Sequence, residues 1–191
     1  MMEAKINLDN RNAERILQEG WRLFEKKGFR GVSLDELCQR SGFSKPTVYY
    51  YFHNKENLFV QVLRYKLSGF HAVVKRPGTL PERLEWFATN ILESFKVETS
   101  FLMRDREHIK RLEARQEIKE AFHTELFDPL SALMRMGIDR GELKGDNSEV
   151  LTLIFLGCIN NFIGKAGEMH MSNAALSKIL TSYFLEGAKN E

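Results

Sequence analysis

The most constraining feature of the sequence is the stretch of residues 33–55, where two short helical segments are separated by a built-in break. Ser33 is a good N-cap for the first segment, and Glu36 three residues later completes the pattern of a capping box. Gly42 can adopt the left-handed conformation that ends this helix and lets another leave at a steep angle. Ser44 is placed to cap that next helix. The pattern predicts a helix-turn-helix.

The second helix of this pair is unusually rich in hydrogen-bond donors, aromatic rings and positive charge. Pro46 fits its first turn, where a missing N–H is harmless. Helical spacing puts Val48 and Phe52 on a different face from Tyr50, so that one face stays polar and aromatic. The residues that can donate hydrogen bonds or stack are Lys45, Thr47, Tyr49, Tyr50, Tyr51 and His53. This composition is typical of a helix that enters the major groove of DNA.

Residues 15–59 resemble the DNA-binding domain of the tetracycline-repressor (TetR) family of bacterial and archaeal transcription regulators. The resemblance covers roughly the first third of the chain, and Gly20 and Cys38 stand where family members usually carry alanine. It is specific because many residues agree in order and spacing. The matching residues are Ile16, Leu17, Leu23, Phe24, Gly28, Phe29, Val32, Ser33, Leu37, Gly42, Ser44, Thr47, Val48, Tyr49, Tyr51, Phe52, Lys55 and Leu58.

The resemblance also implies which residues touch DNA. Tyr51 can pack its ring while its hydroxyl reaches a phosphate, and the capping residues Ser33 and Ser44 belong to the expected set. Lys55, at the start of the fourth helix, adds its charge to the positive end of that helix and is expected to clamp a phosphate. The family positions that commonly contact DNA are matched by Lys45, Pro46, Thr47, Tyr49, Tyr50 and Lys55.

Charge and cysteine usage fit an intracellular DNA-binding protein. The net charge is only +2, but residues 1–55 hold ten Lys/Arg and seven Asp/Glu, so the positive excess lies in the N-terminal part. A non-specific architectural DNA binder would need more positive charge than this. Cys38 and Cys158 lie far apart without metal-ligand spacing. The first ten residues lack the apolar core of a signal peptide, and the apolar run of residues 150–159 is too short to span a bilayer. We therefore expect a reduced, cytoplasmic protein.

The rest of the chain shows helical periodicity throughout, which predicts an all-α fold of about nine helices. The fourth helix is expected to begin after Asn54 and to run through Phe70, and Pro129 marks a kink or restart in a later helix. Residues 1–55 are expected to form an N-terminal three-helix bundle with the helix-turn-helix. Residues 56–191 are expected to form a helical ligand-binding and dimerisation domain.

A group of apolar side chains in this second domain is rich in phenylalanine and methionine. In TetR-like proteins the corresponding region encloses an inducer pocket, and these residue types suit adaptable apolar ligands. The fourth helix is expected to be the only packed connection from this pocket to the DNA-binding helices. The expected ligand-binding residues are Phe70, Phe87, Ile91, Phe95, Phe101, Met103, Phe122, Leu126 and Met134.

The last two helices, expected at about residues 148–165 and 172–188, predict a homodimer. The first of them is apolar on too many sides for a monomer surface, so two helices from each subunit are expected to pack as a four-helix interface. Gly157 and Gly164 would permit close approach. The paired asparagines at 160–161 could hydrogen-bond across the interface.

Two other functions are compatible with parts of the sequence. A helix-turn-helix can act through protein partners without a small-molecule inducer. An enzyme in the second domain would depend on His108, His123 and Glu125, but no nucleophile, phosphate loop or metal spacing accompanies them. The sequence favours a ligand-responsive, homodimeric DNA-binding repressor with no catalytic residues, metal or cofactor. Its expected partners are an inverted-repeat operator and an unidentified small molecule.

Overall fold

The computed structural model describes residues 11–96 and 105–188 and contains no β-strand in those ranges. The predicted all-α fold is confirmed. No helix in the described ranges is both long and apolar enough to cross a lipid bilayer. Short 3₁₀ helices cover Phe70–Val74 and Arg106–His108, and a π-helical segment covers His123–Phe127. The α-helices are α1 (Arg11–Gly31), α2 (Leu34–Ser41), α3 (Lys45–Phe52), α4 (Lys55–Leu67), α5 (Leu80–Ser94), α6 (Leu112–Phe122), α7 (Asp128–Asp139), α8 (Ser148–Asn160) and α9 (Asn173–Ala188).

The described part of the chain forms two compact units. The first contains residues 11–66 and 105–119, and the second contains residues 67–96 and 120–188. Both α4 and α6 therefore begin in the first unit and end in the second. A segment from much later in the chain completes the helix-turn-helix unit. The boundaries between the two compact units thus fall within α4 and α6. The domain boundary expected after Lys55 stays a prediction.

A cluster of three phenylalanine rings forms the centre of the first unit. The centroid of the Phe59 ring on α4 lies 4.9 Å from that of Phe24 on α1 and 5.2 Å from that of Phe29. The backbone at Gly28, with φ of 68° and ψ of 173°, leaves the helical conformation and kinks α1. This kink turns Phe29 towards the other two rings.

The contact between α1 and α4 explains one departure from the family pattern. Gly20 packs so closely on α4 that a β-carbon there would lie 2.9 Å from Cγ2 of Val62. Real β-carbons do not approach other atoms so closely in a packed core. Glycine therefore stands where the family usually carries alanine because the two helices leave no room for a methyl group.

The start of α5 is fixed by two sets of hydrogen bonds in the second unit. Thr79 and Glu82 form a reciprocal capping box, in which the Thr79 N–H donates to the Glu82 carboxylate at 2.7 Å. This bond, followed by one from the Thr79 hydroxyl, lowers the pKa of Glu82. The buried guanidinium of Arg83 donates to the carbonyl of Val73 at 2.8 and 3.0 Å and also to that of Val74. These bonds satisfy carbonyls at the end of the preceding 3₁₀ helix.

Two helix ends differ from the sequence-based expectation. α4 ends at Leu67, and Phe70 lies in a separate 3₁₀ helix that follows Gly69, a residue with φ of 101°. α8 ends at Asn160 and not near residue 165. Gly164, with φ of 77°, lies in the turns that follow, where its position for a β-carbon is 2.9 Å from the carbonyl oxygen of Lys96. Gly164 therefore permits a close approach to the Lys96 backbone within the same chain. A π-helical segment ends at Phe127, and α7 begins at Asp128, one residue before Pro129, so that the expected kink or restart at Pro129 stays a prediction.

Candidate nucleic-acid interface

Side-chain hydroxyls cap both short helices of the helix-turn-helix. The Ser33 hydroxyl accepts a hydrogen bond from the Glu36 N–H at 3.1 Å, and the Ser44 hydroxyl accepts one from the Thr47 N–H at 3.4 Å. Gly42 has φ of 76° and ends α2 in the left-handed conformation. The Glu36 carboxylate pairs with Lys27 at 2.5 Å and does not close the predicted capping box. These local bonds set the angle at which α3 leaves α2.

α3 has one buried face and one exposed face, as predicted. The Val48 and Phe52 side chains are almost fully buried. Tyr50 is 78% exposed and Tyr49 is 45% exposed, whereas Tyr51 is half-buried with its ring 5.3 Å from that of Tyr50. The inner face anchors the helix, and the outer face presents aromatic rings and hydroxyls to solvent. Lys45 and Pro46 are also exposed, and Thr47 is half-buried.

The two lysines expected to contact DNA lie in different environments. The Lys45 ammonium pairs with the Asp35 carboxylate at 2.6 Å, and this hydrogen bond raises the pKa of Lys45. The Lys55 ammonium lies 4.5 Å from the centroid of the Phe29 ring. Burial lowers the pKa of Lys55, and the charge of Asp105 opposes that shift. Lys55 is therefore held against the protein, and its role as a phosphate clamp stays a prediction.

The junction between α3 and α4 places Lys55 at the first position of its helix. His53 ends α3 with φ of 60°, and its N–H donates to the Tyr49 carbonyl at 2.8 Å. The Asn54 side chain then accepts a hydrogen bond from the Asn57 N–H at 2.9 Å and caps α4, which begins after Asn54 as predicted. Histidine tolerates positive φ better than bulky residues do, so His53 allows a tight reversal here.

Asp105 is a structural residue of this unit that sequence reasoning missed. Its buried carboxylate accepts a hydrogen bond from the Phe29 N–H at 2.6 Å. A β-carbon on Gly28 would lie 3.1 Å from the same oxygen, so glycine gives the carboxylate access to the turn. The two residues joined are 76 positions apart, and no local pattern around Asp105 indicated the contact.

A second set of hydrogen bonds ties the same late segment to α4. The Glu56 carboxylate accepts from the N–H groups of Lys110 at 2.7 Å and Arg111 at 3.3 Å. The Arg111 guanidinium donates to the Asn57 side chain at 2.5 Å. The expectation that α4 alone connects the DNA-binding helices to the rest of the chain is therefore wrong. Residues 105–119 are packed into the same unit and continue through α6 into the second.

The expected ligand-binding residues lie in the core of the second unit. The Phe70 ring centroid is 5.6 Å from that of Phe87 and 6.2 Å from that of Phe95. Phe101 and Met103 lie outside the described residues. The role of the group in ligand binding stays a prediction. Its buried members are Phe70, Phe87, Ile91, Phe95, Leu126 and Met134, and Phe122 is half-buried.

The two C-terminal helices expose an apolar face in the single chain. Leu153 on α8 is 60% exposed and Tyr183 on α9 is 70% exposed. A groove of about 560 Å³ runs between the two helices, and Gly157 on α8 has no atom of the chain within 4 Å of its position for a β-carbon. The groove is lined chiefly by Leu151, Ile154, Cys158, Leu180, Tyr183 and Phe184.

The residues considered for an enzyme are not brought together. The His123 ring nitrogen lies 3.4 Å from the Asp128 carboxylate, whereas the Glu125 carboxylate lies 3.2 Å from the His71 ring. His108 is exposed in the other unit. Within residues 11–96 and 105–188, no group of three or more His, Cys, Asp and Glu side chains could hold a metal ion.

The capped pair of short helices and the exposed face of α3 define a helix-turn-helix DNA-binding protein. Residues 16–62 match the family model described as "Bacterial regulatory proteins, tetR family". This match identifies residues 16–62 as a DNA-binding domain of the TetR family. The chain is a DNA-binding transcription regulator.

Similar proteins are regulators as well. The chain is 24% identical over 177 residues to the HTH-type transcriptional repressor AcnR of Corynebacterium glutamicum, covering 87% of each protein. It is 37% identical over 84 residues to the regulator EthR of Mycolicibacterium smegmatis, which is 42% of this chain and 38% of that one. The crystal structure of the regulator FadR from Bacillus subtilis, in complex with stearoyl-CoA, has the same fold. Its TM-score is 0.75 at 20% identity, covering 91% of this chain and 98% of that chain.

Replacing Asp105 with Ala is expected to destabilise the first unit by about 1–3 kcal/mol, because the buried Phe29 N–H loses its acceptor. Asp105→Asn keeps an acceptor oxygen and is expected to lose less stability. Urea unfolding measures both changes, and hydrogen exchange at the Phe29 amide locates them. An Asp105→Ala protein with unchanged exchange at Phe29 would contradict the assigned role of this bond.

Proposed function

We propose that the protein is a homodimeric repressor that binds an inverted-repeat operator and leaves it when a largely apolar ligand binds the second unit. The observation that carries the proposal is the outer face of α3. Tyr49 and Tyr50 are exposed on a helix whose opposite face is fully anchored in the core. Large rings and hydroxyls presented to solvent on an anchored helix suit a recognition helix, which contacts base edges in the major groove.

Each residue of this face has a chemical part in the proposal. The hydroxyls of Thr47 and Tyr50 offer hydrogen bonds to phosphates or base edges, and the Pro46 ring suits contact with a thymine methyl group. Lys55 lies at the N-terminus of α4, where its charge and the helix end both attract a phosphate. The remaining proposed contacts, which position the helix on the backbone, are Ser33, Ser44, Lys45, Tyr49 and Tyr51.

The exposed apolar face of α8 and α9 supports the homodimer. Contiguous apolar surface of this kind on a soluble protein marks an interaction site. Two copies related by a two-fold axis would bury Leu153 and Tyr183 in a four-helix interface. The exposed Gly157 would let the backbones approach closely. Such a dimer carries two copies of α3, which matches an operator made of two half-sites.

The aromatic core around Phe70, Phe87 and Phe95 supports an apolar ligand. Adaptable Phe and Met side chains can open around an acyl chain more readily than a charged lining can. The complex of the similarly folded FadR with stearoyl-CoA makes a long-chain acyl-CoA the first candidate. A ligand in this core can act on DNA binding because α4 and α6 extend from the second unit into the first.

Coupling between ligand and DNA then follows from geometry. The half-sites of an operator lie roughly 34–36 Å apart, or a multiple of a helical turn, so a shift of a few ångströms in one α3 weakens both contacts. Linkage requires that operator DNA lower the affinity for the ligand by the same factor as the ligand lowers that for DNA.

Selection from a pool of random duplexes is expected to return an inverted repeat. On that operator, Tyr50→Ala should cost roughly 1–3 kcal/mol of binding free energy if Tyr50 makes a good base contact. Lys55→Ala should weaken binding to every duplex and flatten the salt dependence by about one unit. Lys119→Ala, an exposed lysine far along the chain, is the charge-matched control. A pool without any enriched palindrome would refute sequence-specific recognition by a dimer.

Leu153→Asp is expected to yield a folded monomer at micromolar concentration, because the new charge would be buried in the interface. Analytical ultracentrifugation measures the mass. Leu112→Asp is the matched control, since Leu112 is also a highly exposed leucine but lies on α6. Leu180 is less suitable because it is largely buried within its own chain. A Leu153→Asp protein that stays dimeric would exclude this face as the interface.

Stearoyl-CoA is expected to weaken operator binding by the protein about 5–150-fold, the usual range of coupling. Ile91→Trp fills the buried core and should abolish this response, whereas Ile91→Leu, which conserves volume, should keep it. Fluorescence anisotropy on the operator measures both. Ligand and operator that bind with no mutual effect would show that the pocket does not regulate DNA binding.

A further inference from the structure

An ion pair joins the two helices of the helix-turn-helix on its solvent side. The Lys45 ammonium at the start of α3 lies 2.6 Å from the Asp35 carboxylate in the first turn of α2. The Asp35 side chain is 74% exposed, so it is open to an incoming duplex. Its place in the first turn of α2 favours a carboxylate there through the helix dipole. Exposed ion pairs contribute little to protein stability, so stability does not explain why this carboxylate is paired with a lysine of the DNA-binding surface.

We propose that Asp35 is a specificity-determining residue, which keeps Lys45 from the phosphates of non-operator DNA and so raises the preference for the operator. The inference rests on the proposed DNA-binding role of α3. It assigns to a negatively charged residue a function that the expected contact set, made of cations, hydroxyls and rings, does not contain.

The chemistry of DNA makes a carboxylate a discriminating group. The sugar-phosphate backbone of a duplex offers hydrogen-bond acceptors and negative charge, and both repel the Asp35 carboxylate. Base edges in the major groove offer donors, such as the amino groups of cytosine and adenine, and a carboxylate accepts from them. Asp35 therefore opposes binding that depends on phosphates alone. It is tolerated only where a base edge lies opposite it.

The pair also changes the electrostatic contribution of Lys45. Non-specific binding gains from each lysine that neutralises a phosphate and releases a counterion. The charge of a Lys45 ammonium bonded to Asp35 is already neutralised by the carboxylate. Such a lysine therefore displaces few counterions from the phosphates of a random duplex. Removing the carboxylate frees this lysine for any phosphate within reach.

The chain offers a matched control on the same helix. Glu36 is the next residue of α2, but its carboxylate pairs with Lys27 at 2.5 Å. Glu36→Gln removes the same charge from the same first turn, and so has the same effect on the helix dipole. It leaves the ion pair of Lys45 intact.

The test compares the full-length protein with Asp35→Asn and Glu36→Gln. Anisotropy titrations over a salt series use the selected operator and a scrambled duplex of equal length. Asp35→Asn is expected to bind the scrambled duplex about five- to tenfold more tightly near 0.1 M salt, with a salt slope steeper by about one unit. Its operator-to-scrambled preference should fall by a similar factor, and Glu36→Gln should keep the original preference.

A double-variant measurement shows whether Asp35 acts through the lysine. In a Lys45→Gln background, Asp35→Asn is expected to change the preference much less, because no ammonium remains to be released. An unchanged preference in Asp35→Asn, or an equal fall in Glu36→Gln, would overturn the inference. A wild-type protein that prefers no duplex at all would instead overturn the proposed function.

Discussion

The bond from the Phe29 N–H to the buried Asp105 carboxylate holds together the unit that presents α3. A buried carboxylate is costly unless it is well paired, so this contact fixes its surroundings. It sets the turn at Gly28, and the turn places the Phe29 ring on Phe59 of α4. The same ring supports the ammonium of Lys55. The position of Lys55, a proposed phosphate contact, thus depends on a residue that lies outside the helix-turn-helix.

Local signals made the helix-turn-helix predictable from sequence. Ser33, Gly42 and Ser44 act on backbone groups within a few residues, so their roles can be inferred without tertiary information. The burial of Val48 and Phe52 followed from helical spacing alone. Asp105 could not be found in this way, because its partner is 76 residues distant in the sequence. The early end of α8 was missed for a similar reason. Gly164 lies against the backbone carbonyl of Lys96, a residue distant in sequence that follows α5.

The DNA-binding surface offers less positive charge to phosphates than its number of lysines indicates. Lys45 is bonded to Asp35, and Lys55 is partly withdrawn onto an aromatic ring. With a net charge of +2 for the whole chain, long-range attraction to DNA is modest. The surface instead offers Tyr49 and Tyr50 in fixed positions. The proposed recognition of DNA therefore depends on shape and hydrogen bonding more than on long-range electrostatics.

The discontinuity of the first unit has a consequence for the order in which the nascent protein folds. When the ribosome has added Leu67, the three N-terminal helices and α4 have been synthesised. Asp105, Lys110 and Arg111, which complete the first unit, have not. Translation of the roughly 50 further residues to the end of the unit takes about 3–10 s. During that interval the Phe29 N–H and the Glu56 carboxylate cannot form the bonds that they make in the folded protein. The DNA-binding surface therefore reaches its final form only after more than half of the polypeptide has left the ribosome.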